Sequence, residues 1–394
     1  MIISVLSVLA FISCNDDPAS IPSSLPPEGD KVVFEVFDSK DQNVNQNSGF
    51  YENLENLYGG GRRLLGRNSY AKSSILFHWD VYLPDSTINY INEGVITVDT
   101  ALVTMRVSYH LGFNSPVSFA VQPLQGEWSN YTLKRDSLQY ITNDGDPSIL
   151  ASQINQTDTT VSFLLDNNEV YNWLKFKADT NLQNTNYGII LKPTAASQGF
   201  IGFNSTFYSS ADTLETTLKI ILKKSSEPFD SISVYPDKDL HVVESVGNVP
   251  VSSPDKIILE GGYAFRGNLF IDISSLPKDI AVNKAILELS VDSLNTVNGD
   301  PGSDSLLVYM FADSTTKALT SDSTVITKLI RKGNKFTGNI TWMMQRWLTG
   351  TENQGLELSL YDEYESVAKI VLYGSKEANI DLRPRLTIYY PKRQ

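Results

Sequence analysis

From residue 31 onward this chain is written in a two-residue period. Runs such as Lys31-Val32-Val33-Phe34-Glu35-Val36, Ala101-Leu102-Val103-Thr104-Met105-Arg106-Val107 and Ala285-Ile286-Leu287-Glu288-Leu289-Ser290-Val291 alternate apolar and polar residues. Successive side chains of a strand point to opposite faces, so this alternation buries one face and wets the other. The runs are rich in β-branched residues and bounded by Asn, Asp, Gly and Ser, which favour turns. Helical spacing is confined to short pieces, Glu169 to Phe176 and Thr341 to Leu348, each about two turns. The expected fold class is all-β: antiparallel sheets packed as sandwiches, with the jelly roll as the expected version.

An internal repeat divides the strands. Phe77, Leu83 and Pro84 recur at the spacing of Phe270, Leu276 and Pro277, and Val98-Asp99-Thr100-Ala101-Leu102 parallels Val282-Asn283-Lys284-Ala285-Ile286. Asn172-Trp173-Leu174 parallels Arg346-Trp347-Leu348, and each tryptophan precedes a glycine-led strand, Gly188-Ile189-Ile190-Leu191 or Gly355-Leu356-Glu357-Leu358. Phe207-Tyr208-Ser209-Ser210 stands against Leu372-Tyr373-Gly374-Ser375, and both copies close on a β-rich strand, Leu218 to Leu222 and Leu386 to Tyr390. The period is far too long for a solenoid and implies two tandem domains, expected at 31–225 and 226–394.

The N-terminus reads as an address. Residues 1–13 form an apolar run too short to span a bilayer, followed by Cys14, the chain's only cysteine, and Asn15-Asp16-Asp17-Pro18. This resembles a bacterial lipoprotein signal, with Cys14 as the lipidated residue; the alternative is an ordinary secretory signal with an incidental cysteine. Residues 14–30, carrying Pro18, Pro22, Pro26 and Pro27, are expected to be an extended tether. The resemblance implies an exported protein held on the outer membrane by its lipid, and the acids after Cys14 suggest its outer, cell-surface face. A net charge of −13 argues against nucleic acid as a partner, and one cysteine leaves no disulfide.

In the second copy, Asn339-Ile340-Thr341, Gln345-Arg346-Trp347, Asn353-Gln354-Gly355-Leu356, Tyr373-Gly374-Ser375-Lys376-Glu377 and Arg383-Pro384-Arg385-Leu386-Thr387-Ile388-Tyr389-Tyr390 resemble the C-terminal half of the DNRLRE domain, also described as carbohydrate-binding module family 96. Phe270 to Ile273, Leu276-Pro277 and Ala285 to Leu289 echo its first half. The first copy lacks the Arg-Pro and has Thr216-Thr217-Leu218. The resemblance implies a jelly-roll sandwich on a surface protein that binds acidic or neutral polysaccharide, without catalysis. The rival expectation is a structural, adhesion or assembly component of a surface layer or matrix, with protein partners.

Residue by residue, catalysis finds little to stand on. His78, His110 and His241 are far apart and lack a metal spacing, and no nucleophile elbow or phosphate loop is present. Glu357, Asp362, Glu363 and Glu365 cluster, and paired carboxylates cleave glycosides, but a solvated face is the simpler expectation. For sugar binding, aromatics found in one copy only are the candidates: Trp79, Trp128, Tyr131, Trp342, Tyr361 and Tyr364. Core packing is the competing reading of each. Asp292, Asn295, Asn298, Asp300 and Asp304 offer oxygens for a structural calcium, the one cofactor considered, although Asn298-Gly299-Asp300-Pro301-Gly302 is first of all a turn. Asp-Ser or Asp-Thr before an aliphatic residue or Thr, as at Asp85, Asp99, Asp136, Asp230 and Asp313, suits either strand-entry turns or O-glycosylation.

Overall fold

The computed structural model describes residues 33–41, 44–53, 56–111, 116–142, 150–154 (backbone), 159–206, 216–225, 227–262, 265–299, 304–321 and 326–392. In chain order the strands begin β1 (Phe34–Asp38), β2 (Gln46–Glu52), β3 (Arg62–Arg67), β4 (Ala71–His78), β5 (Ile96–Leu111), β6 (Val117–Pro123), β7 (Leu150–Ile154) and β8 (Thr160–Leu164). Then come β9 (Ile189–Pro193), β10 (Phe200–Asn204), β11 (Thr217–Lys224), β12 (Glu227–Val234), β13 (Lys238–Ser245), β14 (Lys256–Glu260), β15 (Phe265–Ile271) and β16 (Lys284–Ser290). The last are β17 (Ser305–Asp313), β18 (Ala318–Leu319), β19 (Thr327–Lys332), β20 (Lys335–Asn339), β21 (Leu356–Leu360), β22 (Lys369–Tyr373) and β23 (Arg385–Pro391). Three helices interrupt them: α1 (Asp85–Asn92), α2 (Asn167–Ala178) and α3 (Thr341–Leu348). The fold is all-β, with two curled antiparallel sheets forming two sandwich-like domains.

Both helices expected from the sequence are present, and α2 is longer than the spacing suggested. Its cap explains the extension: the Asp166 carboxylate accepts hydrogen bonds from the Asn168 and Glu169 amides, satisfying two otherwise orphaned donors. Lys175 and Lys177 in the last turn complement the helix dipole. Helix α1 was not legible, because Pro84 and the turn-forming Asp85-Ser86-Thr87 mask a segment that buries only Thr87 and Ile91.

The repeat survives as matched register. In the first sandwich Leu218 lies opposite Val103 and Ile220 opposite Ala101; in the second Leu386 lies opposite Leu287 and Ile388 opposite Ala285. The backbone after the neighbouring strand repeats too, with Leu165 donating to the Ala101 carbonyl and Ile340 to the Ala285 carbonyl, each at 2.9 Å. Trp173 and Trp347 are both buried. Gly188 and Gly355 start equivalent strands at φ +86° and +89°, and each lies against a strand carbonyl, Phe77 or Leu269. Only glycine combines that backbone with that approach at little cost.

Pairing crosses the boundary expected at 225/226. Strands β12 and β13 lie beyond it in sequence, yet β12 pairs with β11 and β13 pairs with β4 along eight residues. Conversely β1 and β2, from the N-terminal segment, pair with β23 and β15 in the second sandwich. Each half of the chain thus lends its first two strands to the other. Three of the four lent strands are pinned by polar contacts. Asp239 on β13 meets Arg63 at 2.9 Å, both side chains fully buried. Asp38 on β1 is gripped by Arg385. The Tyr51 hydroxyl on β2 donates to Glu357.

The two sandwiches are further joined by an apolar cluster that includes Leu64, Tyr109 and Phe200 from the first and Phe50, Phe265 and Val367 from the second. Phe50 and Phe265 meet edge to face at 5.4 Å, a favoured aromatic geometry. Tyr70 reaches across to donate to the Val367 carbonyl at 2.5 Å. Separate larger cores fill each sandwich.

Candidate functional site

The structure scatters the aromatic residues singled out from the sequence. Trp79 is fully buried in the first core, 5.7 Å from the Phe77 ring, and is out of reach of any surface ligand. Trp128 is nearly buried and donates its indole N–H to the Tyr187 carbonyl at 2.9 Å. It lines a cleft of about 290 Å³ with His78, Asn184, Asn186, Tyr187 and Lys238. Tyr131 is exposed and packs on Tyr58 at 4.5 Å. Trp342, 58% exposed, stands on the first turn of α3, and Tyr361 lies under the Lys328 ammonium at 3.6 Å. Tyr364 is half-buried against the apolar cluster between the sandwiches. Of the six, Tyr131, Trp342 and Tyr361 are exposed, and among the described residues no hydrogen bond or ring contact joins one of these three to another.

Other expectations meet a different geometry. Cys14, the leader 1–13, the tether 14–30 and Asp300 lie outside the described residues. The Asp292 carboxylate is occupied by Lys256 at 2.5 Å and the Asn295 amide at 2.8 Å, and Asn298 accepts from Arg331 at 2.5 Å. Burial pushes the Asp292 carboxyl up, but the Lys256 and Asn295 hydrogen bonds outweigh it and hold it below the ordinary range. Asp292 and Asn298 thus already have protein partners, and among the described residues no group of three or more His, Cys, Asp or Glu is arranged to hold a metal.

Glu357 and Glu363 are not the solvated pair that their position suggested: they are 1% and 5% exposed. Arg266 lies between them, its Nε 3.1 Å from Glu363 and its Nη1 3.4 Å from Glu357. The two carboxylates share one guanidinium, the Tyr51 hydroxyl gives Glu357 a further hydrogen bond, and Lys317 lies over the Tyr51 ring. His78 is satisfied by Asp237 at 2.6 Å, as a strand histidine should be. Asp313 accepts from the Thr315 amide at 2.8 Å, a local turn of the kind Asp-Ser was expected to make.

A cleft of about 390 Å³ opens in the second sandwich beside β1, β16 and β23. Alternation builds its wall: Ala285, Leu287 and Leu289 of β16 enter the core, leaving Glu288 and Ser290 outward. Five cations line it, Lys40, Lys335, Lys376, Arg383 and Arg385, against the two carboxylates of Glu288 and Asp381. Lys40 pairs with Asp381, Lys335 with Glu288 at 3.4 Å, and Arg385 with Asp38. Burial alone would raise the Asp38 carboxyl, but the Arg385 side chain and the Lys40 amide outweigh it and hold it below the carboxylate range. Arg383 donates to the Glu377 carbonyl at 2.5 Å. Neither Arg383 nor Lys376 has a carboxylate partner among the described residues. The Gln46 side-chain oxygen, buried in the same wall, also has no hydrogen-bond partner there.

Sequence reasoning missed these residues because it searched for single-copy aromatics. Single-copy cations were the available signal: Arg385 occupies the place that Thr217 holds in the first copy, opposite Glu288 where the first copy has Thr104.

No protein-family model matches the chain, and no curated protein matches it. Solved structures that align with it include the C-terminal domain of the Streptococcus agalactiae AgI/II polypeptide BspA, at 6% identity, covering 84% of this chain and 91% of that one, with a TM-score of 0.14. The infectious bursal disease virus VP2 subviral particle aligns at 11% identity, covering 89% and 76%, with a TM-score of 0.13. Overlays this loose carry no argument about this chain.

Proposed function

We propose that this protein is an exported, lipid-anchored, non-catalytic surface protein that binds an acidic polysaccharide in the cleft of its second sandwich. The observation that carries the reading is charge: five cations and two carboxylates line the cleft of a chain whose net charge is −13. A concave site with an excess of cations on a body of net negative charge selects for an anionic ligand. Arg383 and Lys376 offer donors without a carboxylate to satisfy, and Gln46 offers an acceptor for a hydroxyl. The residues whose pattern resembles a carbohydrate-binding module, Ser375-Lys376 and Arg383-Pro384-Arg385, are among those that line it. The leader ending at Cys14 supports export and anchoring. No helix among the described residues is long and apolar enough to cross a membrane.

The test is a titration of the full chain after its leader against polygalacturonate, heparin and a neutral glucan at two salt concentrations. Binding to an acidic chain that weakens with salt and falls at least tenfold in a Lys376→Ser, Arg383→Ser variant is expected. Equal binding of the neutral glucan, or none to any, would remove the proposal. A structural or assembly role is the second reading, favoured by the reciprocal strand pairing that makes the two sandwiches one body.

A further inference from the structure

The cleft does not end at its wall. Along β23 the residues Leu386, Ile388 and Tyr390 turn to the core, so Arg385, Thr387 and Tyr389 face outward. Registers carry that outward face across its neighbours. Arg385 lies opposite Glu288; Thr387 lies between Asp38 and Ile286; Tyr389 lies between Val36 and Lys284. One row further, Phe34 lies opposite Pro391. The cationic cleft therefore passes, row by row, into an apolar patch. Phe34 is 50% exposed, Val36 49% and Tyr389 37%. Lys284 closes the Tyr389 row with an exposed ammonium that has no carboxylate partner among the described residues. Strand geometry puts Tyr389 roughly 13 Å from Arg385, and the Val36 and Tyr389 side chains in direct cross-strand contact range.

We infer that Phe34, Val36 and Tyr389 form a second subsite for the same polysaccharide, an apolar platform for a pyranose ring about 13 Å along the chain from the sugar held in the cleft. This rests on the acidic-polysaccharide reading. Sugar rings present an apolar C–H face and a polar rim, which suits a tyrosine and a valine flanked by one ammonium. Continuity with the cleft and the cation at the row's end argue for a longer stretch of the same anionic chain. Two of the three platform residues come from β1, so the subsite exists only where the N-terminal strand has joined the second sandwich.

The experiment compares oligomers of two and twelve residues, of galacturonate and of heparin, titrated into the full chain after its leader. With wild type, twelve-residue oligomers should bind about tenfold tighter than two-residue ones, which are too short to bridge the two subsites. In Tyr389→Ala and Val36→Ser variants that preference should shrink by about 3- to 10-fold, with two-residue binding changed less than twofold. Equal affinity for both lengths, or an equal loss for both, overturns this inference and leaves the cleft standing. No binding of either acid by wild type overturns the cleft and this inference together. A dimer that Val36→Ser dissociates, with length preference unchanged, assigns the platform to a second copy and overturns the inference.

Discussion

The two sandwiches share their frame and differ at one edge. In each, a lent strand lies beside the closing strand, which lies beside a third: β12, β11 and β5 in the first, β1, β23 and β16 in the second. Where the second sets Arg385 opposite Glu288, the first sets Thr217 opposite Thr104. The 390 Å³ cleft opens beside the second of these edges. Buried residues of the repeat, held by packing, keep the register; outward residues of the same strands are free to carry a site. A repeat therefore shows where the frame is, and its departures show where chemistry can sit.

The comparison is broken most severely by separating the halves. A fragment of residues 226–394 lacks β1 and β2 and leaves Leu269 and Ile388 without their neighbours. It should fail to give a cooperative melt, whereas the chain from residue 33 melts as one unit. A cooperative fragment with dispersed amide resonances would show that the lent strands are dispensable.

The next effect compares the pins. Asp239→Ala leaves Arg63 charged and fully buried, and should cost about 3–5 kcal/mol in chemical unfolding. Asp38→Ala strands a partly exposed Arg385 and should cost about 1–2 kcal/mol. Equal losses would mean that burial does not set the difference.

The junction between the sandwiches should respond to pH through Glu260. Burial pushes its carboxyl up from 4.5 to about 7, only partly opposed by Lys369 and Arg135. A raised carboxyl stabilises fully below the unfolded value of 4.5, and that contribution is lost as pH rises through 7. Glu260→Gln should therefore gain on wild type between pH 5 and 8 by on the order of 3 kcal/mol. A difference that stays constant across that range would rule out Glu260 as the group responsible.

The smallest contrast is between equivalent glycines. An added Cβ would meet the Phe77 carbonyl at 2.1 Å in Gly188→Ala but the Leu269 carbonyl at 2.9 Å in Gly355→Ala. Both should lower stability by roughly 1–3 kcal/mol, Gly188 more. Thermal melts of the two variants decide the order.

Much of this was legible in the sequence because period and repeat are local signals. The strands that carry Ala101, Ile220, Ala285 and Ile388 follow from alternation, and their equivalence from paired copies of one motif; their registers come only from the structure. The lending of strands was hidden, since alternation says that a strand exists and nothing about whose edge it joins. Glu357 and Glu363 were misread for the same reason: their cover comes from Tyr51, some 300 positions away in sequence. Trp79 is a single-copy aromatic because its counterpart in the second copy is Asp272, and burial decides for core packing, the competing reading, over a ligand platform. The cleft was half visible in Arg383-Pro384-Arg385, while Lys40 and Gln46 belong to the N-terminal segment and enter it only through β1 and β2.

That lending also settles how load would run through the molecule. β1 begins at Phe34, the second described residue, and is bonded to the strand that carries Arg385. If the proposed anchor holds the molecule by its N-terminus, a pull at the cleft would reach it along β1, within one sandwich. A pull parallel to that strand would strain the bonds from Phe34–Pro391 to Asp38–Thr387 together in shear instead of opening them one at a time.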